Sequence, residues 1–282
     1  VDGRFLIWDG TLPVLPEIDI KQPDHVGYNP AVSGLNLNYN RVHFEWRRSQ
    51  GQYTVTMDAR SRTLRPAVQV ARMQVASRDL PVYTYSDAGE HDAWTVARGA
   101  LGNGGARWLP VRKPALYAAD VFRTLARAHG IQLRPPERMT AAPAVKDGRV
   151  LARHESPPLR VIVRDMLKWS TNLTAEVIGL HASQAYTGMK QTDLRGSAGA
   201  MSDWAARRFG LQDVALVDHS GLGDESRIAA ADMMRALMHL RRTTGLKTLM
   251  KRFAMRDENR RVMENHPFVV RAKTGTLNFV SG

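Results

Sequence analysis

The hydrophobic period of this chain changes near Pro114, and that change limits the folds open to it. Before it, apolar residues recur at every second position: Val42, Phe44 and Trp46, then Tyr53, Val55 and Met57, with Ser49-Gln50-Gly51 as a turn between them. A period of two puts alternate side chains on opposite faces of a strand. Leu35, Leu37 and Tyr39, alternating with asparagine, extend the first run backwards. Val68 to Val75, Val82 to Tyr85 and Trp94 to Val96 are further strand candidates. Short strands with polar turns predict an antiparallel sheet or sandwich. Gly102-Asn103-Gly104-Gly105 reads as a turn, because it lacks the third glycine and the strand–helix context of a phosphate loop.

From Pro114 the apolar spacing becomes helical. Pro114 to His129 has apolar residues at Leu116, Val121, Leu125 and Ala128, with a proline at the start and Gly130 at the stop, which predicts a helix. A loop rich in proline and charge follows, Arg134-Pro135-Pro136 and then Ala142 to Pro158, and a domain boundary is expected there. Beyond it the spacing predicts helices over Leu159 to Trp169, Asn172 to Tyr186, Ser197 to Phe209 and Ala229 to Arg241, with a short one near Leu246 to Phe253. Strands are expected at Val214 to Val217 and Phe268 to Ala272, and Thr276 to Val280 is a candidate hairpin partner. No internal repeat or low-complexity tract is visible.

Composition excludes several classes of function. There are no cysteines, so disulfides, thiolate catalysis and zinc–thiolate sites are ruled out. The nine histidines are scattered, with no His-Glu-x-x-His, which argues against a metal site. No apolar run is long enough to span a membrane. A net charge of +13 raises nucleic acid, anionic lipid or an acidic polymer as partners. No Lys/Arg-rich block stands out as a binding arm would, so a solvated basic surface is favoured over nucleic acid. Peripheral contact with membrane or cell wall stays open.

Three short motifs carry chemistry. Lys273-Thr274-Gly275-Thr276 follows the apolar run Val269-Val270-Arg271-Ala272. A lysine at a strand end, followed by hydroxyls and a glycine, makes a cationic ledge. Lys273 can hold a carboxylate or lower the pKa of a nearby hydroxyl, Thr274 and Thr276 can hydrogen-bond a carboxylate, and Gly275 leaves room for a ligand along the strand. A backbone N–H on that edge can face an oxyanion. Ser170-Thr171-Asn172 lies between two expected helices. Ser170 could relay a proton and the Asn172 amide could hold a carbonyl or a lysine; an ordinary helix cap fits the same residues. Asp218-His219-Ser220-Gly221-Leu222-Gly223 contains a contiguous Asp-His-Ser. Triad members converge from separate places, whereas successive residues on an extended segment point to opposite sides, and Gly-x-Ser-x-Gly is absent. A strand-to-loop turn held by local hydrogen bonds is the better reading.

Taken in order, Ser170-Thr171-Asn172, Asp218-His219-Ser220-Gly221-Leu222 and Lys273-Thr274-Gly275 resemble the motif set of the class C low-molecular-mass penicillin-binding proteins, the serine D-alanyl-D-alanine carboxypeptidases and endopeptidases. The stretches Lys168 to Ile178 and Asp218 to Ala229 resemble that family beyond the motifs, and the resemblance is best from about Leu159 onward. It implies a multidomain α/β fold. Residues 1–10 would be a tail of the first catalytic part or a linker. Residues 11–150 would form a β-rich insert, and 151–282 the helical part and first sheet strands of an incomplete penicillin-binding, β-lactamase-like transpeptidase domain.

The resemblance also implies an acyl-enzyme mechanism on peptidoglycan stem peptides in the periplasm, with β-lactams as acylating inhibitors and no cofactor. Ser170, Asn172 and Lys273 would be catalytic: Ser170 shuttling a proton to the leaving amine, Asn172 holding the substrate amide, Lys273 stabilising the anionic site. Thr274, Gly275 and Thr276 would bind substrate, with the Thr276 N–H as an oxyanion donor. One departure is large. No serine in the chain is followed three residues later by lysine. The family's Ser-x-x-Lys lies upstream of the β-rich insert, so it is expected before Val1. The opening Val1-Asp2-Gly3-Arg4, with neither initiator Met nor leader, likewise reads as the middle of a longer protein whose signal peptide lies elsewhere. A β-lactamase or esterase on the same scaffold, and a cell-wall-binding relative without a nucleophile, are the rival readings.

Overall fold

The period-two run around Phe44 becomes a nine-residue strand in the computed structural model, which describes residues 2–143, 148–264 and 266–275. Two units are separated by their internal contacts: Val1–Lys146 with Lys190–Asp193, and Asp147–Met189 with Leu194–Gly282. The first holds strands β1 (Phe5–Ile7), β2 (Arg41–Ser49), β3 (Gln52–Asp58), β4 (Ala71–Ala76), β5 (Tyr83–Asp87), β6 (Asp92–Ala97) and β7 (Gly104–Pro110), helix α1 (Pro114–Ala128) and strand β8 (Pro136–Arg138). Strands β3, β2 and β7 form one antiparallel sheet in that order. The β2–β3 hairpin closes on Gln50 and Gly51, both at positive φ (50° and 77°), the two-residue turn whose twist matches its flanking strands.

The second sheet, ordered β4-β6-β5, departs from the expected all-antiparallel arrangement, because β4 and β6 run parallel. Strand β5 pairs with β6 through a short hairpin, and the chain between β4 and β5 carries it past β6, which leaves β6 central. The alternating residues of both sheets and α1 then share one core: Val42 and Phe44 of β2, Met73 of β4, Trp94 and Val96 of β6, Leu109 of β7, and Tyr117 and Val121 of α1. Fully burying one such side chain contributes about 1.5–3 kcal/mol.

Asp92 begins β6 with no exposed surface. It accepts hydrogen bonds from the Arg112 N–H (2.8 Å) and the Tyr85 hydroxyl (3.2 Å), yet burial pushes its carboxyl up to about 6. A raised carboxyl favours the folded state most below the ordinary aspartate range, and that contribution is lost as pH rises through about 6. Asp92→Asn keeps an acceptor and carries no charge. Its stability relative to the parent is expected to improve by about 2–3 kcal/mol between pH 4 and pH 7. Denaturant unfolding at the two pH values measures this; an unchanged difference would refute it.

The second unit holds helices α2 (Leu159–Trp169), α3 (Asn172–Thr187) and α4 (Leu194–Phe209), strands β9 (Val214–Ala215) and β10 (Arg227–Ile228), helix α5 (Ala230–Thr243), and strands β11 (Lys251–Phe253) and β12 (Val270–Ala272). Leu173 and Leu180 of α3 and Leu194, Ala198 and Ala205 of α4 are buried. Strands β9 and β10 pair antiparallel, as do β11 and β12. Asp232, in the first turn of α5, accepts from the N–H groups of Gln212 (2.8 Å) and Asp213 (2.7 Å). Among the described residues no helix is long and apolar enough to cross a membrane.

Two further sequence expectations are corrected. Leu35 to Tyr39 is not a strand: Asn38, Tyr39 and Asn40 all take positive φ (51°, 57° and 49°). The asparagines explain it. The Asn40 amide donates to the Ala31 carbonyl at 2.9 Å while its oxygen takes the Leu37 N–H at 3.1 Å, and such side-chain bonds compete with a strand ladder. The helix expected near Leu246 to Phe253 is only a short turn, Leu246–Thr248, before β11, because pairing with β12 claims Lys251 to Phe253. The strand expected over Thr276 to Val280 lies outside the described residues.

Candidate active site

Ser170 ends α2 in a left-handed conformation (φ 55°, ψ 52°), its N–H bonded to the Met166 carbonyl at 2.8 Å. A non-glycine residue there costs roughly 1–2 kcal/mol. The turn is tight enough that α3 begins two residues later, at Asn172. Thr171 stands at the cap position of α3 but makes no side-chain capping bond. The Ser170 hydroxyl instead faces Lys273, whose Nζ donates to Oγ at 2.9 Å across 103 residues of sequence. Lys273 directly follows β12, which is held to β11 by the pairs Ala272 with Lys251 and Arg271 with Arg252. Its Nζ also donates to the Thr274 carbonyl. Ser170, Lys273, Thr274 and Gly275 are all exposed, and a Cβ at Gly275 would meet nothing within 4 Å. Among the described residues nothing covers the ledge on that side.

One helical turn past Asn172, Glu176 is fully buried. Its carboxyl accepts the N–H groups of His219 (3.1 Å) and Ser220 (2.9 Å), which ties α3 to the loop of the second motif. Burial pushes this carboxyl up to about 7, with nearby Asp218 adding to the rise and the Ser220 bonds opposing it. Asp218 in turn accepts from the N–H groups of Gly221 (2.6 Å) and Gly223 (2.5 Å). The His219 ring packs directly against Gly179: a Cβ there would sit 2.0 Å from His219 Cγ, so only glycine fits. Its Nε2 meets Ser197 Oγ at 2.8 Å, and Ser197 Oγ meets Ser183 Oγ at 2.5 Å. Burial pulls the imidazole down to about 4, so it is neutral near pH 7.

Asp218, His219 and Ser220 therefore diverge: a loop brace, a wedge between α3 and α4, and a backbone donor. They form no triad. Of the residues singled out from sequence, the structure joins Ser170 to Lys273, with Asn172 two positions on at the start of α3 and Thr274 and Gly275 beside the lysine. Thr276 lies outside the described residues. Sequence reasoning missed Glu176, Gly179 and Ser197 as the parts that hold α3 to α4 and the loop. The signal for Glu176 was its spacing of four from Asn172, which puts both on one helix face. Among the described residues no group of three or more His, Asp or Glu is placed to hold a metal ion.

The first and third of the three ordered motifs meet through a serine and a lysine, and these motifs carry the resemblance to the penicillin-binding family. Comparison with known proteins agrees. The family model of the D-Ala-D-Ala carboxypeptidase 3 (S13) family matches residues 18–282, and the chain belongs to that family. Two crystal structures of penicillin-binding protein 4 from Haemophilus influenzae are similar in fold. One has a TM-score of 0.64 at 18% identity, covering 85% of this chain and 53% of that one. The other, complexed with a novel β-lactam, has a TM-score of 0.60 at 17% identity, covering 78% and 51%. No curated protein matches. The resemblance drawn from the motifs is borne out at the level of family and of fold, a mixed α/β fold with several small sheets. The chain spans about half the length of the solved structures it matches.

Proposed function

We propose that the protein carrying this chain is a serine D-Ala-D-Ala carboxypeptidase or endopeptidase that cleaves peptidoglycan stem peptides through an acyl-enzyme, acts in the periplasm, and is acylated by β-lactams. The observation that carries the reading is the 2.9 Å contact between Lys273 Nζ and Ser170 Oγ, residues from two separate motifs of the family. A hydroxyl that accepts from an ammonium keeps its own proton for donation. Ser170 can pass that proton to the leaving amine and be reprotonated from Lys273. Asn172, starting the helix behind Ser170, supports a role in holding the substrate amide. Lys273 provides the positive charge for the anionic site, and Thr274, the open edge at Gly275 and Thr276 bind the terminal carboxylate. The nucleophile, in a Ser-x-x-Lys, is supplied by residues other than these 282. Residues 11–150 are the β-rich insert of that enzyme and 151–282 part of its catalytic domain.

The test is exposure of the full-length gene product to a fluorescent penicillin. A stable covalent band that survives denaturation supports the reading. Rapid turnover of the penicillin instead identifies a β-lactamase, and the lack of any adduct or hydrolysis refutes acyl transfer altogether.

A further inference from the structure

In the first unit, one arginine stands apart from its neighbours. Arg60 is paired with Glu45 (2.7 Å) and Asp58 (2.9 Å), and Arg112 donates to the carbonyls of Pro16, Asn29 and Asp24. Arg41, half-buried at the start of β2, has no carboxylate partner among the described residues, and its buried Nε has no acceptor there. Two rings flank it: its Cζ lies 5.1 Å from the Tyr39 centroid and 5.3 Å from that of Trp108. Two residues along the same face of β2, His43 is edge-on to Trp108 at 4.9 Å, and its buried Nδ1 is also without a partner. Burial pulls the Arg41 guanidinium below the ordinary arginine value, and the groups that oppose this are the Tyr39 and Tyr117 phenols rather than a carboxylate.

Burying a charge is costly unless it is paired. The backbone that delivers Tyr39 is costly as well. Tyr39 is exposed, sits at φ 57° and is a bulky residue in a region that favours glycine and asparagine. A guanidinium held by two rings but by no carboxylate, and a strained residue beside it, thus converge on one patch, where an anionic ligand would complete the pairing of the charge. A guanidinium presents a planar fork that matches a carboxylate in two parallel hydrogen bonds, and ring walls on its flanks exclude water from that pair.

We propose that Tyr39, Arg41, His43 and Trp108 form a carboxylate-binding site, and that its ligand is a free carboxylate of a peptidoglycan stem peptide. The site lies outside the Ser170–Lys273 pair and rests on the wall-acting reading above. It would hold the first unit to the wall by a peptide that is not itself being cleaved.

Co-sedimentation of the full-length protein with insoluble peptidoglycan sacculi tests this. Arg41→Met is expected to weaken binding about tenfold, and Arg41→Lys to rescue it only in part, because an ammonium lacks the planar fork. Sacculi whose carboxylates have been amidated should bind the parent as poorly as intact sacculi bind Arg41→Met. Tyr39→Gly covers the case in which an Arg41 variant misfolds: it relieves the positive φ, so its melting temperature should hold or rise while sacculus binding falls. Three results would overturn the site: equal binding by Arg41→Met, equal binding to amidated sacculi, or an equal loss in Arg62→Met, which changes an exposed arginine elsewhere on the unit. Loss of binding to anionic phospholipid vesicles rather than to sacculi would also overturn the carboxylate assignment. Penicillin labelling of the same preparations reports the acyl-transfer reading separately, so the two can fail independently.

Discussion

Replacing Lys273 with alanine in the full-length protein is expected to slow acylation by a fluorescent penicillin about 10²- to 10⁴-fold, the range of a positioned proton-transfer group. The ammonium meets the Ser170 hydroxyl at 2.9 Å, and no other described residue donates to that oxygen. On the proposed mechanism, Ser170 would then have neither a proton source nor a charge to stabilise a developing anion. Ser170→Ala is expected to cost a similar factor. Because the two groups act through one contact, the double variant should be little worse than the poorer single, whereas independent contributions would multiply. Lys273→Arg should recover only part of the rate, since a guanidinium cannot occupy the place of a compact ammonium. Stopped-flow labelling gives the four rates. Acylation of Lys273→Ala within threefold of the parent would remove this pair from the mechanism.

Glu176→Ala is expected to destabilise the second unit by about 2–5 kcal/mol at pH 5. It strands the half-buried N–H groups of His219 and Ser220, and a fully buried donor left unpaired costs about 1–3 kcal/mol. The pH matters, and its sign follows from the burial of the carboxyl. Its folded value is about 7, above the ordinary glutamate value of 4.5, so its contribution is full below 4.5 and is lost as pH rises through 7. His219 works the other way: its folded value of about 4 lies below the ordinary 6.5, so the folded state gains as pH rises over that range. The parent's own pH profile is therefore flattened by cancellation, and the comparison must be between variant and parent. Glu176→Gln keeps one acceptor and no charge. It should be less stable than the parent at pH 4.5 and recover by about 3 kcal/mol relative to it by pH 7.5. Unfolding curves at the two values decide it; a constant difference would mean that folding leaves the carboxyl at its ordinary value.

Much of the fold could be read from the chain because its signals are local. The Pro114 start, the asparagine at 172 and the spacing of apolar residues placed α1, α2 and α3 within a residue or two of where they lie. Local reading failed where a side chain or a distant strand had a competing claim on the backbone. Asn36 and Asn40 turned an alternating run into a left-handed bend, and β12 drew Lys251 to Phe253 out of a helical pattern into a strand. The parallel pairing of β4 with β6 was equally hidden, because period two is the same in either strand direction.

The site divides in the same way. By itself the sequence determined the three motifs, their order and the family they indicate, since each motif is a few adjacent residues whose chemistry does not depend on the rest. Only the tertiary structure decided which of them meet. Ser170 reaches Lys273 across 103 positions, and Glu176 reaches the Ser220 N–H across 44, and neither distance leaves a periodic trace in the chain. The close packing of His219 on Gly179 is of the same kind. It is set by steric fit between elements remote in sequence, and such fit exists only once the helices and the loop have folded together.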